Sequence, residues 1–132
     1  MTDTITLRGL VATTPRHIVT SDGLPITSFR LARTTRRFDR TENRWIDGET
    51  NWYTITAFRH LAVNAAQSIT KGQRIILTGV VRIREWESDE RTGTNVEVES
   101  ESIGHDLAWG TAVFSRSVST PSEQEPAEAV SA

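Results

Sequence analysis

The sequence predicts an all-β fold: a five-stranded barrel with one short helix and an extra C-terminal strand. Three observations predict it. Alternating segments come in the order three strands, a helix, two strands. The long strand after the helix carries a glycine at its middle, where a strand bends around a small barrel. The stretch Trp52-Tyr53-Thr54-Ile55-Thr56-Ala57-Phe58 alternates strictly, with Tyr53, Ile55 and Ala57 on one face and Trp52, Thr54, Thr56 and Phe58 on the other.

Residues 4–12 form a first strand with Ile5, Leu7 and Val11 in phase, and Gly9 on that face signals a close approach or a bulge. Thr14-Pro15 ends it. A short apolar touch, His17-Ile18-Val19, leads into the turn signal Ser21-Asp22-Gly23-Leu24-Pro25. A second strand over 26–35 points Phe29 and Leu31 inward and Ser28 and Arg30 outward, then runs into the basic stretch Arg33, Arg36, Arg37, Phe38, Arg40. Residues 39–51 are polar, contain Asp47-Gly48 and hold Trp45 mid-way; they read as a long hairpin loop. Leu61, Ala65 and Ile69 recur at helical spacing, and Lys71-Gly72 supplies a C-terminal cap. The next strand, Arg74 to Trp86, places Ile75, Leu77, Val81 and Ile83 on one face and Arg82, Arg84 and Trp86 on the other, with the bend at Gly79. A hairpin loop spans 87–93. Residues 94–103 put Val96 and Val98 on one side and Glu97, Glu99 and Glu101 on the other, a solvated acidic face. Trp109 to Val118 reads as a short sixth strand. Residues 1–118 thus make one domain, and residues 119–132, dominated by Ser, Pro, Glu and Ala, are expected to be a disordered tail.

The chain has 132 residues, enough for one real core, and no cysteine, which excludes disulfides, thiolate metal sites and cysteine nucleophiles. The net charge of -2 hides an asymmetry: residues 1–86 hold 13 of the 15 Lys and Arg but 7 of the 17 Asp and Glu, whereas residues 87–132 are strongly acidic. Lys71 is the one lysine. Arginine grips phosphate with two arms and stacks on bases; a genome-wide preference for arginine would give the same composition. Neither a signal peptide nor an apolar run of membrane-spanning length is evident, so a cytoplasmic location is expected.

Strand order and bend together suggest an oligonucleotide/oligosaccharide-binding (OB) barrel, with a sandwich as the competing fold. In a common register Arg30, Trp52, Thr54, Thr56, Phe58, Arg82, Arg84 and Trp86 all point outward. Aromatic and arginine side chains interleaved on a sheet face suit unstacked bases and their phosphates. A one-residue slip would instead bury Trp52 and Phe58. Phe38 and Trp45 either anchor the basic loop or extend that surface, and Trp109, in the acidic half, reads as packing.

At these residues the sequence resembles the bacterial single-stranded DNA-binding protein (SSB) family over about residues 4–105. The resemblance rests on Thr4-Ile-Thr-Leu-Arg-Gly-Leu with Thr14-Pro15; Ser28-Phe-Arg-Leu-Ala; Asn51-Trp-Tyr-Thr-Ile-Thr-Ala-Phe; Leu61 to Lys71-Gly72; and Leu77-Thr-Gly-Val-Val-Arg-Ile-Arg-Glu-Trp86. It implies base stacking by Phe38, Trp52, Phe58 and Trp86, with Trp45 as a further stacking candidate in the loop. Arg30, Arg33, Arg36, Arg37, Arg82 and Arg84 would hold the backbone. It further implies a homotetramer wrapped by single-stranded DNA, with Ile103 to Val118 similar to the strand that clamps subunits in some members. Tyr53 stands where the family commonly has histidine. The tail, Ala127-Glu-Ala-Val-Ser-Ala132, has no aspartate run and no terminal Phe, as in the family's shorter paralogues; recruitment of replication and repair enzymes through such a tip is not expected.

Catalysis has little support. His17, His60 and His105 follow no metal-ligand spacing, and no Walker loop, G-x-S-x-G or H-E-x-x-H occurs. The sequence therefore points to a non-enzyme without cofactor or metal. It would bind and protect single-stranded DNA in replication, repair and recombination. A structural OB subunit that docks a protein partner, or a single-stranded RNA binder, remains the alternative.

Overall fold

In the computed structural model, which describes residues 3–117, the alternation of the sequence becomes an inside and an outside. Strand β1 (Thr4–Val11) buries Leu7, Gly9 and Val11, whereas β2 (Arg16–Val19) is exposed at every residue. Strand β3 (Pro25–Asp39) buries Thr27, Phe29 and Leu31, and β4 (Arg44–Phe58) buries Ile55 and Ala57. Helix α1 (Arg59–Ser68) follows directly and buries Ala62 and Ala65. Strand β5 (Arg74–Ser88) contributes Ile75 and Leu77, and β6 (Arg91–His105) contributes Val98 and Ser100. Leu7, Val11, Phe29, Leu31, Ile55, Ala65, Ile69, Ile75, Leu77 and Val98 form one cluster, flanked by Ile5, Tyr53, Val81 and Ile103. Each large aliphatic so placed is worth about 1.5–3 kcal/mol over exposure.

The strands close a five-membered ring: β1 pairs β5, β5 pairs β6, β6 pairs β4 in parallel, β4 pairs β3, and β3 returns to β1. This is the expected OB barrel. The closing seam is short, Leu10 against Ala32 and Val11 against Leu31. Gly9 makes it possible, because a Cβ there would lie 2.7 Å from the Ala32 carbonyl oxygen. Gly79 sits at the register shift between β5 and β6, where a Cβ would run into the backbone of Glu99 and Ser100. The close approach at Gly9 matches the sequence signal there, and the shift at Gly79 falls where the sequence places a bend.

The helix is held laterally more than by its ends. Phe58, at the N-terminal cap, gives no side-chain hydrogen bond, and the next residue, Arg59, has φ +60°. The Thr27 hydroxyl donates to the Ala62 carbonyl at 2.7 Å, tying α1 to β3. Gly72 (φ +94°) does not cap the helix; it serves the following turn, where its N–H donates to the Val11 carbonyl.

Besides that cap, three expectations change. First, residues 39–51 are not a loop. The β3–β4 ladder continues to Asp39 opposite Arg44, and its turn is short, with Asp39 Oδ1 accepting the Thr41 N–H at 2.8 Å. Second, the loop expected over 87–93 shrinks to the tight turn between Ser88 and Arg91. Third, the strand outside the ring is β2, on β3, and among the described residues there is no C-terminal one. Residues 106–117 form no strand. Asp106 turns the chain out of the sheet: its Oδ1 accepts the Ala108 N–H at 3.1 Å and its carbonyl accepts the Trp109 N–H at 3.0 Å. The tail expected over 119–132 lies outside the described residues.

Candidate nucleic-acid interface

The outer face of β4, β6 and β5 is where the expected residues meet. On β4 the register is as read: Ile55 and Ala57 are fully buried, Trp52 is 50% exposed, and Phe58 is half-buried. Trp86, 47% exposed, stands near the far end of β5. Its cross-strand partner is Gly93, and a Cβ at Gly93 would run into the Trp86 indole. The ring therefore occupies the space above the glycine, which shields that bare backbone and fixes where the indole sits.

Phe38 and Trp45 were ambiguous in the sequence. They are direct cross-strand partners on the β3–β4 arm, with ring centroids 5.6 Å apart and planes at 76°. The pairing depends on a bulge. Between Thr34–Thr50 and Arg36–Asp47, β3 spends one residue and β4 spends two, Gly48 and Glu49. That extra residue shifts the alternation and sets Trp45, not Ile46, against Phe38. Each ring remains exposed, Phe38 by 44% and Trp45 by 58%.

The six arginines fall into three groups. Arg30 is half-buried, with its guanidinium 5.7 Å from the Trp52 ring centroid and its Nε buried without a hydrogen-bond partner. Arg33 and Arg37 are exposed and have no carboxylate partner among the described residues; Arg36 has only Asp47, at 3.6 Å. Arg82 and Arg84 are ion-paired, Arg82 Nη2 to Glu99 Oε1 at 3.2 Å and Arg84 Nε to Glu97 Oε1 at 3.1 Å.

Those carboxylates are the feature missed in the sequence. Glu97 and Glu99 lie on the outer face read for residues 94–103, and the fold brings that face beside the aromatics. The parallel pairing of β6 with β4 sets Glu97 beside Thr54 and Glu99 beside Thr56. The acidic row thus runs between the β4 row and the arginine row. With Thr56, Phe58, Arg82, Arg84 and Val98 the two glutamates line a shallow hollow of about 200 Å³. Only the strand order reveals this neighbourhood, and no local signal in residues 94–103 carries it.

A closed five-stranded barrel bearing exposed aromatics and arginines on one face and on a projecting ribbon defines an OB-fold protein of the nucleic-acid-binding type. The chain belongs to the Single-strand binding protein family, whose pattern matches residues 2–106. It is 54% identical over 112 residues to "Single-stranded DNA-binding protein 2" of Tropheryma whipplei (strain Twist), covering 85% of this chain and 74% of that protein. It is 40% identical over 118 residues to "Single-stranded DNA-binding protein 1" of Streptomyces coelicolor, covering 89% and 75%. Among solved structures it is similar to the small single-stranded DNA-binding protein from Streptomyces coelicolor, with a TM-score of 0.75 and 38% identity over 83% of this chain and 98% of that one. No helix among the described residues is long and apolar enough to cross a membrane.

Proposed function

We propose that this protein binds single-stranded DNA without sequence preference and performs no chemistry on it. The observation that carries this reading is the exposed set Trp52 and Trp86 on the barrel, with Phe58 half-buried beside them, and Phe38 and Trp45 on the arm. Large rings left open to water in a small domain are platforms for flat ligands, and base–aromatic stacking contributes about 1–3 kcal/mol per base whatever the base. The names of the relatives agree with it. Arg33, Arg36 and Arg37 hold phosphates, and Arg30 chiefly braces Trp52. The binding unit spans residues 1–118, followed by the tail. The protein self-associates as a homotetramer; Leu107, Trp109, Val113 and Phe114, each more than 60% exposed, offer apolar surface for that assembly. Its work is cytoplasmic: covering exposed strands in replication, repair and recombination.

The test is a titration of poly(dT) into the protein, followed by tryptophan fluorescence at two salt concentrations, with poly(U) in parallel. Strong quenching that weakens with salt, and a weaker signal with Trp52→Ala, is the expected result. A folded protein that shows no quenching at low salt refutes the reading, and tighter binding of poly(U) would reassign the ligand to RNA. Light scattering of the free protein reports the assembly.

A further inference from the structure

Arg82 and Arg84 have their outer-face positions filled before any ligand arrives. Glu97 is held at both carboxylate oxygens: Oε1 by Arg84 Nε at 3.1 Å, and Oε2 by Asn95 Nδ2 at 3.2 Å. Asn95 in turn accepts the Thr54 hydroxyl at 3.4 Å. Glu99 reaches diagonally across the β5–β6 ladder to Arg82 at 3.2 Å. The arginine side chains are 59% and 65% exposed, so a phosphate can approach them, but only in competition with these carboxylates.

We propose that Glu97 and Glu99 are tethered counterions that take the place of DNA phosphates on Arg82 and Arg84 and so set an upper limit on the protein's affinity for single-stranded DNA. The inference rests on the DNA-binding reading. A strand passing from Trp52 and Phe58 to Trp86 crosses β6, about 10 Å at the normal spacing of strands. It meets carboxylates directly under its path. Much of the affinity of a cationic surface comes from neutralising phosphates, which frees the cations condensed on the nucleic acid. An arginine already neutralised by a carboxylate on the neighbouring strand frees few of them. Arg82 and Arg84 therefore add little to affinity or to its salt dependence, in contrast to Arg33 and Arg37, which have no carboxylate among the described residues. The glutamates favour a ligand that releases readily.

The experiment compares the full chain with Glu97→Gln/Glu99→Gln in poly(dT) titrations over a series of NaCl concentrations. The amides keep size and one acceptor oxygen apiece, exchange the second acceptor for a donor, and remove the charge. Freeing two arginines steepens the slope of log K against log salt by up to about 1.4, at ~0.7 per single-strand phosphate. The affinity at low salt rises about two- to fivefold for each pair released, the range that surface ion pairs span. Arg82→Gln/Arg84→Gln uncovers the two carboxylates and weakens binding in the natural background, and in the glutamine background it returns slope and affinity to those of the natural chain. The single variant Glu99→Gln gives about half the effect and guards against misfolding of the double variant, which circular dichroism checks. An unchanged slope and affinity in the glutamine variant, with normal binding by the natural chain, overturns the inference and leaves the DNA reading intact. Loss of poly(dT) binding by the natural chain itself overturns both.

Discussion

Gly93→Ala is the smallest change that tests whether Trp86 works where its ring now lies. A Cβ on Gly93 would enter the space of the indole, so the ring must leave its seat. The backbone has no objection: Gly93 is a strand residue without positive φ, and replacing glycine by alanine in a strand favours the folded chain by about 0.5–1 kcal/mol. Trp86 is not among the core residues, so displacing it opens no cavity. Stability should hold or rise while binding falls. If Trp86 stacks on one base, the loss is about 1–3 kcal/mol, or roughly 5- to 150-fold in Kd at that position. The assay is poly(dT) titration of the natural chain, Gly93→Ala, Trp86→Ala and the double variant, with thermal unfolding of each. Gly93→Ala should lose most of what Trp86→Ala loses, and should add nothing in the Trp86→Ala background. Full binding by Gly93→Ala, or an equal loss in both backgrounds, would refute the reasoning.

Other outcomes follow from the same structure. Gly9→Ala forces a Cβ against the Ala32 carbonyl at the barrel seam and should destabilise by about 1–3 kcal/mol, read by urea unfolding. Thr27→Val removes the buried hydroxyl that donates to the Ala62 carbonyl and contacts His17 Nδ1 at 2.7 Å. Losing this extra hydrogen bond to a carbonyl within the helix should cost about 0.5–1.5 kcal/mol and loosen α1, read by amide exchange in the helix. Asp106 is held below the ordinary carboxylate range, first by the Ala108 N–H and then by Arg8 at 2.9 Å. With the folded value depressed, its contribution is full above the unfolded value and is lost as pH falls through the folded one. The turn at 106–109 should therefore loosen in acid, seen in the Trp109 indole N–H resonance, and Asp106→Asn should abolish that pH response.

What was legible in the sequence was whatever a single strand decides. Strict alternation over 52–58 fixes which side chains are inside, and it holds because Ile55 and Ala57 have a core to enter. Gly9 and Gly79 were readable because only glycine tolerates the contacts made there. The arms were not legible. From Arg36 to Asp47 the ladder projects beyond the core, so no apolar period marks it, and Asp47-Gly48, which reads as a turn, instead leads into the bulge. Strand β2 escaped for the same reason, being exposed at every residue. The neighbours of Glu97 and Glu99 depend on which strand lies beside β6, a property of closure and not of residues 94–103.

The division of charge follows from what the neighbouring strand carries. Arg82 and Arg84 lie just past the end of the β1–β5 ladder, which stops at Val80, and β6, the strand beside them, offers Glu97 and Glu99. The β3–β4 arm is a ribbon of two strands, so its side chains have only one neighbouring strand from which to draw a partner. Arg33 and Arg37 draw none, and Arg36 draws a distant one. The open positive charge therefore gathers on the part of the molecule least supported by the core. A two-stranded ribbon is marginal by itself. Here it is held by the Thr34–Thr50 hydroxyl contact at 2.8 Å, the Phe38–Trp45 pair and the Asp39 turn. These are weak ties, and a polyanion that neutralises the arginines and covers the two rings would add to them. On the DNA reading, then, the barrel presents fixed stacking platforms whose nearby charge is already spent, while the arm supplies the phosphate grip and gains order by using it.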